Sequence, residues 1–243
     1  MSRISKAGSS FRAPWNVRGK IPAPLLTSRG RGEALLIYPD SHAAREHAAY
    51  VVAAGGLVAF RTDTFYGLGS DPFDAGALER INALKGRDGK PILVLVADAG
   101  DELRLVSGVS RAFEVLAARH WPGPRTLVAA ARAEVPELLT AGTGTVGVRL
   151  PDDASVRALV RACGGLLTAT SANPAGEPPG RTAEEVARYF EKAPGLVVDG
   201  GPTRSELPST VIDVSGARPR LVREGVVTRA ELEATLRAEG IEL

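Results

Sequence analysis

The chain has 243 residues, 44% hydrophobic and 24% charged, with a formal net charge of +2. That balance fits one large or two small soluble globular domains and argues against global disorder. The single cysteine, Cys163, excludes an intramolecular disulfide framework and a multi-cysteine zinc site. No apolar run approaches the roughly 18 residues of a membrane span, and the N-terminus lacks the apolar core of a secretory signal, so a cytoplasmic protein is expected.

The charge is uneven along the chain. Residues 1–33 carry Arg3, Lys6, Arg12, Arg18, Lys20, Arg29 and Arg31 against Glu33 alone. This segment stands at net +6 and residues 34–243 at net −4, which together make the +2 of the whole. With its glycines, prolines and serines, the segment reads as a basic, largely disordered extension. Three roles stay open for it: contact with nucleic-acid phosphates, an organelle transit peptide, or a solvated extension without a partner.

Strand and helix signals alternate from Ala34. Ala34–Tyr38 reads as a strand, His42–Ala54 as a helix stopped by Gly55-Gly56, and Leu57–Phe60 as the next strand. Ala77–Leu84 places Leu78, Ile81 and Leu84 on one helical face. Ile92–Val96 is a continuous apolar run, expected as a central strand covered on both faces. Arg111–Arg119 then reads as helix, Thr126–Ala130 as strand, Val135–Leu139 as helix and Val146–Leu150 as strand. Ala154–Cys163 is a helix ending at Gly164-Gly165, followed by the strand Leu166–Thr170. Thr182 with Glu185, and Thr228 with Glu231, each predict a capping box at a helix start. Leu196–Val198, Thr210–Val214 and Leu221–Val222 are strands with no helix between them long enough for a parallel crossover. The expectation is one α/β (α+β) domain over 34–243, with a mixed sheet.

Several motifs do not stand up to their required context. Gly142-Thr143-Gly144-Thr145-Val146-Gly147 spells a dinucleotide fingerprint, but a helical run precedes it and a strand follows, the reverse of the required order. It reads as a glycine-rich turn. Gly89-Lys90 is followed by Pro91 and lacks the earlier glycine of a phosphate-binding loop. His42, His47 and His120 are too scattered for a metal site, and no G-x-S-x-G elbow occurs.

Four segments at strand ends combine small hydroxyls, turns and fixed cations: Arg61 to Gly69, Lys85 to Pro91, Ala169 to Pro174, and Pro208 to Asp213 with Arg223-Glu224-Gly225. Lysine and arginine supply point and forked charge for phosphate oxygens. Ser171 and Asn173 offer neutral donors and acceptors suited to a base or sugar. Each segment taken alone also reads as turn chemistry or a solvated charge run. With Arg149, they describe a cationic, hydroxyl-lined cleft without an obvious nucleophile or metal cage. Such a site catalyses by placement and charge stabilisation.

These residues as a set resemble the YrdC-like family of threonylcarbamoyl-AMP synthases. The resemblance runs from about Ala34 to about Leu236. It rests on Thr62-Asp63-Thr64-Phe65-Tyr66-Gly67-Leu68-Gly69, Lys85-Gly86-Arg87, Trp121-Pro122-Gly123-Pro124 with Thr126, and Gly147-Val148-Arg149-Leu150-Pro151. Ser171-Ala172-Asn173, Asp199-Gly200-Gly201-Pro202, Ser209-Thr210-Val211 and Arg223 before Gly225 complete it. Each piece is weak by itself, and their shared order is specific.

The resemblance implies a twisted mixed sheet flanked by helices around a cationic concave cavity. It implies a nucleotidyltransferase that joins L-threonine, bicarbonate or CO2 and ATP into threonylcarbamoyl-AMP and pyrophosphate. A downstream transferase complex would then modify adenosine 37 of tRNA, giving threonylcarbamoyladenosine (t6A). Lys85 and Arg87 would be catalytic, and would bind ATP together with Lys90, Thr126, Ser171, Asn173 and Arg223. Thr62, Arg149 and Ser209 would place threonine and the carbamate. Mg2+ would travel on the ATP phosphates, with no metal site in the protein.

The chain departs from the family pattern at three places. Arg61 stands where proline is usual, Arg125 where an aliphatic residue is usual, and the stretch after Arg87 is one residue short, which bears on the position of Lys90. Added arginines near a phosphate site would either strengthen anion binding or block it. The chain is expected to lack the second, C-terminal domain of longer family members. Two rival readings carry different chemistry: a catalytically inactive RNA-binding member of the same fold, and a carbamoyl-transfer module of a larger enzyme. The low aromatic content, 5%, disfavours base stacking in the first.

Overall fold

The computed structural model describes residues 26–27, 36–86, 89–190, 195–203 and 205–243. Serine, threonine or aspartate opens most helices by accepting a backbone N–H of the first turn, as the N-cap preference dictates. Ser41 opens α1 (His42–Ala53), Asp74 α2 (Ala75–Lys85), Ser110 α3 (Arg111–His120) and Asp153 α5 (Ala154–Ala162). Thr182 opens α6 (Ala183–Tyr189) and Thr228 opens α7 (Arg229–Arg237), whereas the one-turn α4 (Glu137–Thr140) has no side-chain cap. A short 3-10 turn covers Asp101–Arg104. Glycines close the helices in the left-handed region, Gly86 after α2 at φ 56° and Gly164 after α5 at φ 93°.

The strands are β1 (Leu26–Thr27), β2 (Leu36–Pro39), β3 (Val58–Arg61), β4 (Tyr66–Gly69), β5 (Leu93–Val96) and β6 (Arg125–Ala130). After them come β7 (Thr145–Arg149), β8 (Leu166–Ser171), β9 (Leu196–Asp199), β10 (Thr210–Asp213) and β11 (Arg220–Arg223). They form one eleven-stranded mixed sheet in the order β1-β2-β9-β3-β4-β8-β5-β7-β6-β10-β11. β5, the continuous apolar run, lies centrally between β8 and β7.

Helices cover both faces. On one, Leu78 and Ile81 of α2, Leu116 of α3 and Leu232 and Leu236 of α7 pack with Leu127 and Val148 of the sheet. On the other, Ala44, Ala48 and Val52 of α1 and Val156, Leu159 and Val160 of α5 pack with Phe60, Leu95, Leu167 and Val198. This second layer rests on β3, β9, β5 and β8. It stops short of β6, β7 and β10, and the sheet face left bare there becomes the site.

The structure revises three expectations. Strand β4 escaped the sequence reading because Tyr66-Gly67-Leu68-Gly69 lacks a branched run. Its glycines are needed for close approach, since a Cβ on Gly69 would sit 2.4 Å from Thr168 O. Two of the last three strands are parallel to a neighbour: β9 runs parallel to β2 and β3, and β10 parallel to β6. They slot beside strands distant in sequence, so no local crossover helix is required. The capping box at α6 is half formed. Thr182 accepts from Glu185 N, but Glu185 Oε2 accepts from Arg181 N at 2.8 Å instead of from Thr182. The box at α7 is complete.

Within the basic segment 1–33, Leu26–Thr27 pairs antiparallel with β2, and the remaining residues lie outside those described. Among the described residues no helix is long and apolar enough to cross a membrane. The Gly142–Gly147 stretch is a turn from α4 into β7, with Gly142 at φ 73° and Gly144 at φ 68°.

Candidate functional site

A cleft of about 490 Å³ opens on the bare face, a volume in the range of small-molecule sites. No residue of α1 to α7 lines it. Strand alternation supplies the walls, because every second side chain of a strand faces the same way. Thr145, Gly147 and Arg149 of β7 face the cleft, while Val146 and Val148 enter the core. Thr126 and Val128 of β6, Val211 and Asp213 of β10 and Leu93 and Leu95 of β5 repeat the pattern. The β3–β4 turn adds Thr62 and Thr64, β8 adds Ser171, and the β10–β11 ribbon closes the far side with Arg220, Val222 and Arg223. The floor is apolar and the rim carries hydroxyls and cations.

Six of the ten residues expected from the sequence line this cleft: Thr62, Thr126, Arg149, Ser171, Ser209 and Arg223. Their positions follow from local chemistry. Thr62 Oγ1 donates to Phe65 O at 2.6 Å and accepts from Thr64 N at 3.2 Å, which fixes the β3–β4 turn. Ser209 Oγ and Thr126 Oγ1 lie 3.2 Å apart across β10 and β6. Arg223 donates through Nε and Nη2 to Ser209 O at 3.2 and 2.9 Å, and through Nη2 to Ser209 Oγ at 3.2 Å. Arg149 is buried, with Nε donating to Gly123 O at 3.2 Å, Nη1 to Thr64 Oγ1 at 3.4 Å and Nη2 to Asp63 Oδ1.

Surrounding protein and the like charge of Arg149 both lower the pKa of Arg223. A second guanidinium close enough to disfavour the charge on Arg223 makes a place where an anion is welcome. At the far end, burial pushes the Asp213 carboxyl up, but hydrogen bonds from Ser215 and Arg220 outweigh it and hold the group below the usual range.

The other expected residues stand elsewhere. Lys85, the last residue of α2, is buried at 3% exposure and does not line the cleft. Its Nζ donates to Ser171 O, to Asn173 O at 2.8 Å and to Asn173 Oδ1 at 3.3 Å. Its carbonyl accepts from Ala175 N at 2.8 Å, so Lys85 ties the Ser171–Ala175 turn from both ends. Asn173 Nδ2 in turn donates to Glu177 O at 2.6 Å. Lys90 is exposed next to Pro91, which does line the cleft. Arg87 lies outside the described residues.

Both extra arginines point away from the cleft. Arg61 Nη2 donates to Asp153 Oδ2 at 2.6 Å, and Oδ1 of the same carboxylate caps α5. Arg125 alternates with Thr126 along β6 and faces the helical core, fully buried. Neither strengthening nor blocking of the cleft by these side chains follows. Asp63 and Thr64, which hold Arg149, and Asp213 on the wall stood in the candidate segments without an assigned role, and Thr145 and Arg220 on the walls were not assigned to a site at all. Period-two spacing from Arg149 marks Thr145 once that arginine is known to face a ligand. Nothing local marks Arg220.

Fold and cleft together define an α/β protein with a hydroxyl- and cation-rimmed cleft on the open face of a mixed sheet. A family model described as telomere recombination, covering Sua5, YciO and YrdC, matches residues 50–225. The chain belongs to the Sua5/YciO/YrdC family. A threonylcarbamoyl-AMP synthase of Pyrococcus abyssi is 37% identical over 190 residues, 78% of this chain and 56% of that protein. A threonylcarbamoyl-AMP synthase of Thiobacillus denitrificans is 41% identical over 162 residues, 66% of this chain and 86% of that protein. The crystal structure of P. abyssi Sua5 complexed with L-threonine superposes with a TM-score of 0.76 at 36% identity, covering 82% of this chain and 58% of that one. The chain therefore spans just over half the length of the archaeal relative and most of the bacterial one.

Proposed function

We propose that this chain is a threonylcarbamoyl-AMP synthase. The observation that carries the reading is the pairing of Arg149 and Arg223 across one hydroxyl-rimmed cleft, in a chain whose relatives bear that activity. The amine of L-threonine adds to CO2, derived from bicarbonate, and releases a proton to give a carbamate. A carbamate oxygen attacks the α-phosphorus of ATP, and pyrophosphate leaves. The chemistry asks for placement of three substrates and for cations near the phosphates, and not for a protein nucleophile.

In this reading Arg223, Ser171 and Thr126 hold the nucleotide. Lys85 and Asn173 shape the turn that presents Ser171, Lys85 and Lys90 add positive charge at that end, and Arg87 is assigned with them to ATP. Thr62, Arg149 and Ser209 hold the threonine carboxylate and the carbamate. Mg2+ rides on the ATP phosphates, whose oxygens suit a hard cation. In this reading the protein works in the cytoplasm as a nucleotidyltransferase, and its product feeds a transferase complex acting on adenosine 37 of tRNA.

The test is adduct formation. Purified protein is incubated with ATP, Mg2+, bicarbonate and labelled L-threonine, and adenylate and pyrophosphate are quantified. Product that requires both threonine and bicarbonate supports the reading. Bound ATP without product, together with salt-sensitive RNA binding, would replace it with the RNA-binding alternative.

A further inference from the structure

Arg149 is the buried arginine of the cleft, and its contacts are unusually complete. A guanidinium has five N–H groups. Gly123 O, Thr64 Oγ1 and Asp63 Oδ1 each take one, from Nε, Nη1 and Nη2 in that order. One N–H on each Nη atom is then left for a ligand, a pair that a carboxylate accepts through both oxygens.

Asp63 is the part of this arrangement that turn chemistry does not explain. Thr62 and Thr64 close the β3–β4 turn through their own hydroxyls and backbone, without the Asp63 side chain. Asp63 does not line the cleft, and its contact is with Arg149, 86 residues further along the chain. Its Oδ2 is enclosed and has no hydrogen-bond partner among the described residues. A carboxylate with one enclosed, idle oxygen is destabilising unless its other contact compensates.

The second observation is the uneven pairing of the two cleft arginines. Arg149 has a carboxylate partner, whereas no ion pair is found for Arg223 among the described residues. Phosphates, with several charges, favour the arginine without a carboxylate. A carboxylate, bound through two directed hydrogen bonds, needs an oriented guanidinium more than a bare charge. We infer that Asp63 is a positioning residue that locks Arg149 for the carboxylate of the amino-acid substrate and lowers its pull on phosphates. This rests on the synthase reading, in which Arg149 holds that end of the substrate.

The experiment compares wild type, Asp63→Asn and Asp63→Glu in the full assay, with ATP and L-threonine varied separately and folding checked by circular dichroism. Asp63→Asn is expected to raise the KM for L-threonine about tenfold, as for loss of a charge-assisted contact, with kcat and the KM for ATP within about twofold. Inhibition by added pyrophosphate becomes stronger in the same variant, because Arg149 is freed to meet phosphate. Asp63→Glu recovers part of the threonine KM. A threonine KM that stays the same or falls overturns the inference, as does a parallel rise in both KM values, which a merely structural role would give. If the wild type itself shows no threonine dependence, the synthase reading fails and takes this inference with it. A threonine-dependent wild type with an unaltered Asp63→Asn removes the inference alone.

Discussion

Arg125→Met isolates what a guanidinium costs in the core of this fold. Arg125 is fully buried, and none of Nε, Nη1 and Nη2 has a hydrogen-bond partner among the described residues. Burial pulls its pKa down to about 10, against a weaker attraction from Glu231. At about 1.4 kcal/mol per pH unit, that fall corresponds to roughly 3 kcal/mol of uncompensated desolvation. Below pH 10 the group is charged in folded and unfolded chain alike, so the full penalty is present at neutral pH. It would lift only as pH rises above about 10, where the folded chain gives up the proton before the unfolded one. Methionine keeps the unbranched stem and gives up the planar head. The void left by the smaller head, costed at about 24 cal/mol per Å³, offsets part of this, on the order of 1 kcal/mol. The net gain is about 2 kcal/mol, within the span seen when buried charges are replaced by apolar residues. For a chain of this size that is a rise in Tm of about 4 to 8 °C. Thermal melts at pH 7.5, followed by circular dichroism and calorimetry, read it directly. The KM for ATP should stay within about twofold, because the side chain faces away from the cleft. A Tm below wild type would mean that the guanidinium is stabilised where it lies, and would refute the argument.

Arg223→Gln should raise the KM for ATP more than that for L-threonine, by about tenfold or more, since it removes the cleft arginine without a carboxylate partner. Isothermal titration with ATP checks it, and equal losses for both substrates would contradict the division of roles. Gly225→Ala should lower stability by about 2 kcal/mol and weaken both substrates, because its Cβ would sit 2.2 Å from Pro208 O and 2.8 Å from Ser209 C. A melt and a full kinetic profile indistinguishable from wild type would show that the Ser209 wall yields freely.

What could be read from the sequence depended on whether the signal was local. The starts of α6 and α7 were legible because Thr182 and Thr228 act within one turn of their own positions, whereas α2 was read from Ala77 and begins at Ala75. β5 was legible as a central strand because four apolar residues in a row suit a strand covered on both sides. β4 was not, since its reason for being a strand is the close approach of β8, a neighbour about a hundred residues away. The site divides in the same way. Hydroxyls and cations at strand ends announced Thr62, Ser171, Ser209 and Arg223. The contact between Asp63 and Arg149, and the one between Lys85 and the Ser171–Ala175 turn, exist only once the sheet has assembled.

The arginines at 61 and 125 show how strand geometry limits what a charge next to a site can do. Each sits one residue before a cleft threonine, Thr62 and Thr126. On β6, a shift of one position reverses the face, so Arg125 is sent into the core that Thr126 avoids. Arg61 leaves the strand toward α5, where Asp153 already needs a partner for the oxygen not used in capping. Each substitution raises the formal charge near the cleft in sequence and leaves the cleft lining unaltered in space. Their consequences fall on different energies. Arg61 gains a half-buried ion pair, with side chains 20% and 17% exposed, whereas Arg125 gains no ion pair among the described residues. Placement relative to the pleat, more than charge at the motif, therefore decides which cations of this chain reach the cleft, and it separates Arg149 and Arg223 from Arg61 and Arg125.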